Sequence, residues 1–333
     1  MPLKLAMLGI TQSHAHGLVR QIGEHPDEFR LVGLHDPDPA AVADRRQRWE
    51  PLVGALTVYP TPEALLQQDL DGVAVESPVP LSMKFARLAL ERGRSVMLEK
   101  PAGDDLAEHR RLIELAQRKH LHVQMLYLFR YMVAVREMLD RARKGQLGRI
   151  YHFRARLPKD LPSYRRYEAE VGRFKGGMFY EMAGHVIDMM VTILGKPKAI
   201  TPFLAHHHAE PGAFIDNGVA VFTYEHAWGI IEVPALETAP HSRRIEVFGT
   251  EGSCVIPHLG SGHLANKNIQ PIEVFRNGAA DWQQLDLQAR PLQLDDLREF
   301  AAVTAGKKAP DYSMEHDLVV QEALLRASGM APA

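Results

Sequence analysis

Four side chains on one predicted helix carry the strongest chemical signal. In "GGMFYEMAGHVIDMMVTILGKP" (176–197), Glu181, His185, Asp188 and Thr192 are spaced 0, +4, +7 and +11. At the helical rotation of about 100° per residue they fall within roughly 60° of one another. The other faces are apolar, from Met178 to Leu194. Such a helix is buried, and its single polar stripe must meet partners, a metal or a wet pocket. A carboxylate one turn from an imidazole orients it and stabilises its charged form, which suits a general base near neutral pH. The same spacing also allows a metal site of Glu181, His185 and Asp188 with His206 or His208. The stripe lacks a specific metal motif, so general-base chemistry is preferred and no metal is assigned.

Two further features sit at strand ends. "SVMLEK" (95–100) closes abruptly on Glu99–Lys100, and Pro101 holds Lys100 out of helical geometry. In an open α/β sheet, ligands bind at the carboxyl ends of strands. A lysine there can donate to a hydroxyl or carbonyl oxygen and stabilise developing charge. Asp36 ends the strand "FRLVGLHD" and lies 22 residues after His14. A carboxylate at that place accepts hydrogen bonds from ribose hydroxyls and repels a 2′-phosphate, favouring NAD over NADP. Upstream, "LGITQSHAHG" (8–17) occupies the position of a dinucleotide loop but keeps only Gly9, with Thr11 and His14 where glycines belong.

The elements needed to hold these residues are legible. Apolar runs at 3–8, 29–36, 71–77, 95–100 and 120–126 alternate with helical patterns, including Leu81, Phe85, Leu88 and Ala89 on one face. That alternation predicts a doubly wound parallel sheet. From Gly148 the texture changes to successive strands at 149–157, 217–224, 228–233, 243–249 and 272–277, with helices at 178–194, 293–306 and 315–328. The second domain therefore reads as α+β with a mostly antiparallel sheet. The expected division is 1–125 and 126–333, the C-terminal helix packing back on the first domain. The remaining histidines, among them His206–His208, His241, His258 and His263, read as loop residues.

Bulk properties narrow the classes. The chain has 333 residues, 46% hydrophobic and 24% charged, enough for two cores. Lys plus Arg is 39 and Asp plus Glu is 41, a net charge of −2, which leaves no footprint for nucleic acid or an anionic membrane. The single cysteine, Cys254, precludes an intrachain disulfide and fits a reducing cytoplasm. No apolar run reaches the ~18 residues of a spanning helix. "LKLAMLGI" reads as a buried strand rather than a secretory leader.

With "LEKPAG" and "GGMFYEMAGHVID" in view, the chain resembles the Gfo/Idh/MocA family of oxidoreductases. "FRLVGLHDPDPAAVADRR", the block from "DLDGVAVESPVP" to "HRRLIELA", "DNGVAVFTYEHAWGIIEV" and "EHDLVVQEALLRASG" extend the resemblance over nearly the whole length. It implies a Rossmann domain followed by an open-sheet domain that commonly forms dimers or tetramers. It implies NAD- or NADP-dependent oxidation or reduction of a sugar, polyol or related compound. Lys100, His185 and Glu181 inherit the catalytic positions, with Glu181 where the family has Asp. Cofactor contacts pass to Gly9, Thr11, His14 and Asp36, to Ser77 and Pro78 in "SPVPLS", and to Glu99, Lys100 and Pro101. Tyr127 and Arg130 in "YLFRY", with Asp188, fall on substrate positions. Ser82 replaces the family's histidine. The altered glycine loop motivates another reading, a cofactor-impaired sensor of the same fold. Redox-neutral use of a held NAD is a third.

Overall fold

The computed structural model describes residues 1–238, 242–260 and 268–331. His241 and His263 lie outside the described residues. The chain forms two compact units, Met1–Leu128 with Pro291–Leu318, and Phe129–Arg290 with Val319–Ala333.

The first unit runs β1 (Leu3–Leu8), α1 (Ala15–Glu24), β2 (Phe29–His35), α2 (Pro39–Val53), α3 (Pro62–Leu66), β3 (Gly72–Val75), α4 (Val79–Glu91), β4 (Ser95–Glu99), α5 (Leu106–Arg118) and β5 (Val123–Leu126). The strands pair in parallel in the order β2-β1-β3-β4-β5, and a single bridge from Leu34 to Val58 extends the edge beyond β2. Every residue of β3 and β4 is buried. This is the near-continuous apolar strand of a sheet covered on both faces. Leu5, Met7, Ala74, Met97 and Leu126 share one core with Leu18 and Ile22 of α1 and Trp49 of α2.

In α4 the buried face is Ser82, Phe85, Ala86 and Ala89, while Leu81 and Leu88 are half-buried. The face is turned from the expected one because Ser82 points inward, its Oγ 3.2 Å from both the Oγ and the carbonyl oxygen of Ser77.

The second unit contains α6 (Val133–Arg143), β6 (Ile150–Arg156), α7 (Tyr164–Val171), α8 (Gly177–Leu194), β7 (Ala199–Ala205), β8 (Asn217–Thr223), β9 (Trp228–Pro234), β10 (Arg244–Gly249), β11 (Gly252–Ile256), β12 (Ile269–Arg276) and β13 (Gln283–Gln288). The sheet order is β13-β12-β11-β10-β6-β9-β8-β7, and only the β6–β9 pair is parallel. Strands β8 and β9 alternate buried and half-exposed residues, as a sheet with one covered face requires. α8 lies on the covered face against β8, β9 and β6.

Two helices close the chain, α9 (Leu294–Thr304) and α10 (Met314–Ala327). Leu294, Leu297 and Phe300 of α9 join the core of the first unit. No described helix is long and apolar enough to cross a membrane.

Candidate active site

The loop after β1 is built around Gly9, whose φ is +77°. A side chain there would overlap the backbone of Ser77, so glycine is required both by conformation and by close approach. Asp36 then clamps the turn. Its Oδ2 accepts the Ile10 amide at 2.9 Å and its Oδ1 accepts the Asp38 amide at 2.8 Å. Each carboxylate oxygen keeps a lone pair for a further donor.

Beyond Ile10 the amide of Gln12 donates to the Glu76 carbonyl. The amides of Thr11 and Ser13 make no hydrogen bond among the described residues. Both residues are exposed, and α1 starts at Ala15 with no side-chain cap and no acidic residue in its first turn. Open amides at a helix N-terminus are the donor set for a pyrophosphate, so the residues present fit a dinucleotide.

His14 faces Glu99 and Gln293. Its Nδ1 lies 2.8 Å from Glu99 Oε1, and its carbonyl accepts Gln293 Nε2 at 2.8 Å. Three residues further on, Gly17 lies against the end of the Gln293 side chain, which a Cβ there would displace.

Beneath the loop lies a feature the sequence did not single out. Glu76, at the end of β3, is wholly buried, and both its carboxylate oxygens lack a hydrogen-bond partner among the described residues. Burial, and then the charge of Glu99, push its pKa well above the usual carboxylate range, while Lys100 and Arg45 pull against the shift. Lys100 is itself 5% exposed, and its bond to Pro101 is cis. Pro78 stands at the N-cap of α4, directly after Ser77.

In the second unit the polar stripe of α8 finds its partners. Arg130 donates to both oxygens of Asp188, from Nε at 3.0 Å and Nη2 at 2.7 Å, and both side chains are 2% exposed. This bidentate fork is the strong form of an ion pair and fixes both groups. Phe129 stacks on the His185 ring with centroids 4.4 Å apart and planes 24° apart. Thr192 Oγ1 returns to the Asp188 carbonyl at 2.8 Å. Glu181 is half-buried one turn before His185, whose residue is 3% exposed. Tyr127 is buried in the first unit, just past β5.

His206 and His208 do not join this stripe. They gather around buried Asp216, which accepts the His207 and His208 amides and the Tyr164 hydroxyl. Both ring nitrogens of His206 face carbonyl oxygens, of Phe214 at 2.9 Å and Glu210 at 2.8 Å. His206 and His208 thus stand with Asp216 rather than with the α8 stripe.

Residues 3–127 match the model described as an oxidoreductase family with an NAD-binding Rossmann fold, and residues 132–255 match the GFO/IDH/MocA C-terminal domain. The chain belongs to the Gfo/Idh/MocA oxidoreductase family. Within the family it is 27% identical over 202 residues to the uncharacterized oxidoreductase YdgJ of Escherichia coli, covering 60% of this chain and 58% of that protein. It is 25% identical over 313 residues to dTDP-3,4-didehydro-2,6-dideoxy-alpha-D-glucose 3-reductase of Saccharopolyspora spinosa, covering 91% and 90%. The WlbA dehydrogenase of Bordetella pertussis, solved with NADH and UDP-GlcNAcA, shares the fold with a TM-score of 0.79 at 18% identity, over 99% of this chain and 97% of that one. As a Gfo/Idh/MocA chain it has the expected parallel and antiparallel sheets.

Proposed function

We propose that this oxidoreductase transfers a hydride between NAD and the hydroxyl or carbonyl group of a sugar, polyol or related small molecule. The observation that carries the reading is His185, held under Phe129 on a buried helix with Glu181 one turn before it. When bound, the nicotinamide dinucleotide supplies the hydride acceptor or donor. In the oxidative direction His185 would take the proton of the substrate hydroxyl while the hydrogen on that carbon leaves with the bonding electron pair, so that a carbonyl forms. Glu181 stabilises the imidazolium so formed, and Lys100 donates to the substrate oxygen. Arg130 and Asp188, spent on one another, act as a positioning pair that fixes the stripe and bounds the substrate pocket. The sugar-nucleotide relatives support the substrate class.

NAD is preferred to NADP. Asp36 and Asp38 stand together at the β2–α2 turn, and Asp38 already accepts the Ala40 and Ala41 amides at the start of α2. A 2′-phosphate would meet two carboxylates there. Self-association as a dimer or tetramer through the uncovered sheet face is supported by Phe203 and Trp228, 61% and 60% exposed on β7 and β9. A cytoplasmic location fits Cys254, whose thiol burial pushes up to about 11 and keeps unreactive.

The test is a panel of sugars and polyols assayed by reduced-nicotinamide absorbance. His185→Ala is expected to lower kcat by about 10²–10⁴ with the melting temperature retained, as loss of a general base does. Turnover unaffected by that change would remove His185 from the proton-transfer role.

A further inference from the structure

The loop lacks two glycines that usually let the main chain approach a pyrophosphate, yet a cation stands over it. Arg45 is the seventh residue of α2 and its Nε donates to the Ile10 carbonyl at 3.0 Å. The same peptide's amide is held by Asp36. The guanidinium carbon lies 5.5 Å from the centroid of the Trp49 ring. Trp49 is fully buried and is itself fixed by a bond from its Nε1 to His16 Nδ1 at 3.1 Å. Stacking and the Ile10 bond therefore hold the guanidinium against the loop with little side-chain freedom left to lose.

Its ion pair is long. The side chain is 14% exposed, and the near carboxylate, Asp44, is 3.9 Å away, itself 43% exposed and bonded to Arg48. Nη1 and Nη2 make no hydrogen bond among the described residues. The bond to the Ile10 carbonyl places the guanidinium at the loop that follows β1.

We infer that Arg45 binds the pyrophosphate of the dinucleotide, supplying by a charge-assisted contact what the missing glycines supply by close approach. The inference rests on the NAD reading above. The pyrophosphate rather than a 2′-phosphate is its ligand, because Asp36 and Asp38 occupy the β2–α2 turn. A guanidinium with two open nitrogens suits a diphosphate bidentately.

The experiment is calorimetric titration of the full chain with NAD, ADP-ribose and 2′,5′-ADP at two ionic strengths, for the wild type, Arg45→Met and Arg45→Lys. Methionine keeps an unbranched stem on Trp49 without the charge. Arg45→Met is expected to weaken NAD and ADP-ribose by about 10- to 100-fold, the worth of a hydrogen bond to a charged group, and to flatten the salt dependence. Arg45→Lys keeps the charge but not the fork, and should fall between the two. Unchanged affinity for ADP-ribose in both variants overturns the assignment. So does a loss confined to 2′,5′-ADP, or a loss with the salt dependence intact, which marks a purely structural clamp on Ile10. Failure of the wild type to bind NAD overturns the parent reading first, and is distinguishable from all of these.

Discussion

At the scale of residues, the two ends of the proposed chemistry are held by opposite strategies. In the second unit every charge on the α8 stripe that is fully buried is answered, Asp188 by the Arg130 fork. Under the nucleotide loop, Glu76 is buried with neither oxygen bonded. Its folded pKa lies above that of the unfolded chain, so the folded state keeps a proton that the unfolded state releases above about 4.5. Stability tied to Glu76 is therefore full below that pH and is lost as pH rises toward the folded value. Glu76→Gln should raise the melting temperature more at pH 8 than at pH 5, read by thermal melts at both. An equal gain at the two pH values would mean that Glu76 is ionised alike in both states. None of this is legible in "DGVAVESP", which shows neither the burial of Glu76 nor the nearness of Glu99. Arg45 was hidden for a related reason. It stands in "ADRRQRWEP" among polar neighbours, and only the contacts with Ile10 and Trp49 distinguish it from Arg46 and Arg48.

Among elements, α8 shows how much a sequence pattern can carry. Its apolar faces and polar stripe place it in the core with the correct ends, and Gly195 stops it with a φ of +75°. What the pattern does not contain is the docking of its first turn. Gly177 has a φ of +49°, and a Cβ there would overlap the Ile215 carbonyl, to which the Met178 amide donates at 2.8 Å. Gly177→Ala is expected to cost about 2 kcal/mol or more from strain and overpacking, lowering the melting temperature by several degrees. An unchanged melt would show that the turn relaxes freely. Helices α6 and α7 and strands β7, β11 and β13 do not stand out in the sequence. α7 has only eight residues and buries two tyrosines and a valine, a face too small for a clear period. β7 carries Pro202, which argues against a strand in isolation and is tolerated because β7 is the sheet edge. Strands of the first unit were plain because burial on both faces makes them apolar throughout.

For the whole molecule, the two units each match one half of an oxidoreductase family with an NAD-binding Rossmann fold, and the departures that bear on the cofactor's pyrophosphate lie in one loop. Thr11 and Ser13 keep open amides, His14 is turned to Glu99, and Gly17 lies against the Gln293 side chain. The loop is thus rebuilt rather than lost, and the chain should retain its dinucleotide. Calorimetric titration of NAD and NADP into the purified full chain tests this most directly. One NAD is expected to bind per chain, more tightly than NADP because of Asp36 and Asp38. No heat from either dinucleotide at millimolar concentration would contradict an oxidoreductase and favour a sensor built on the same fold.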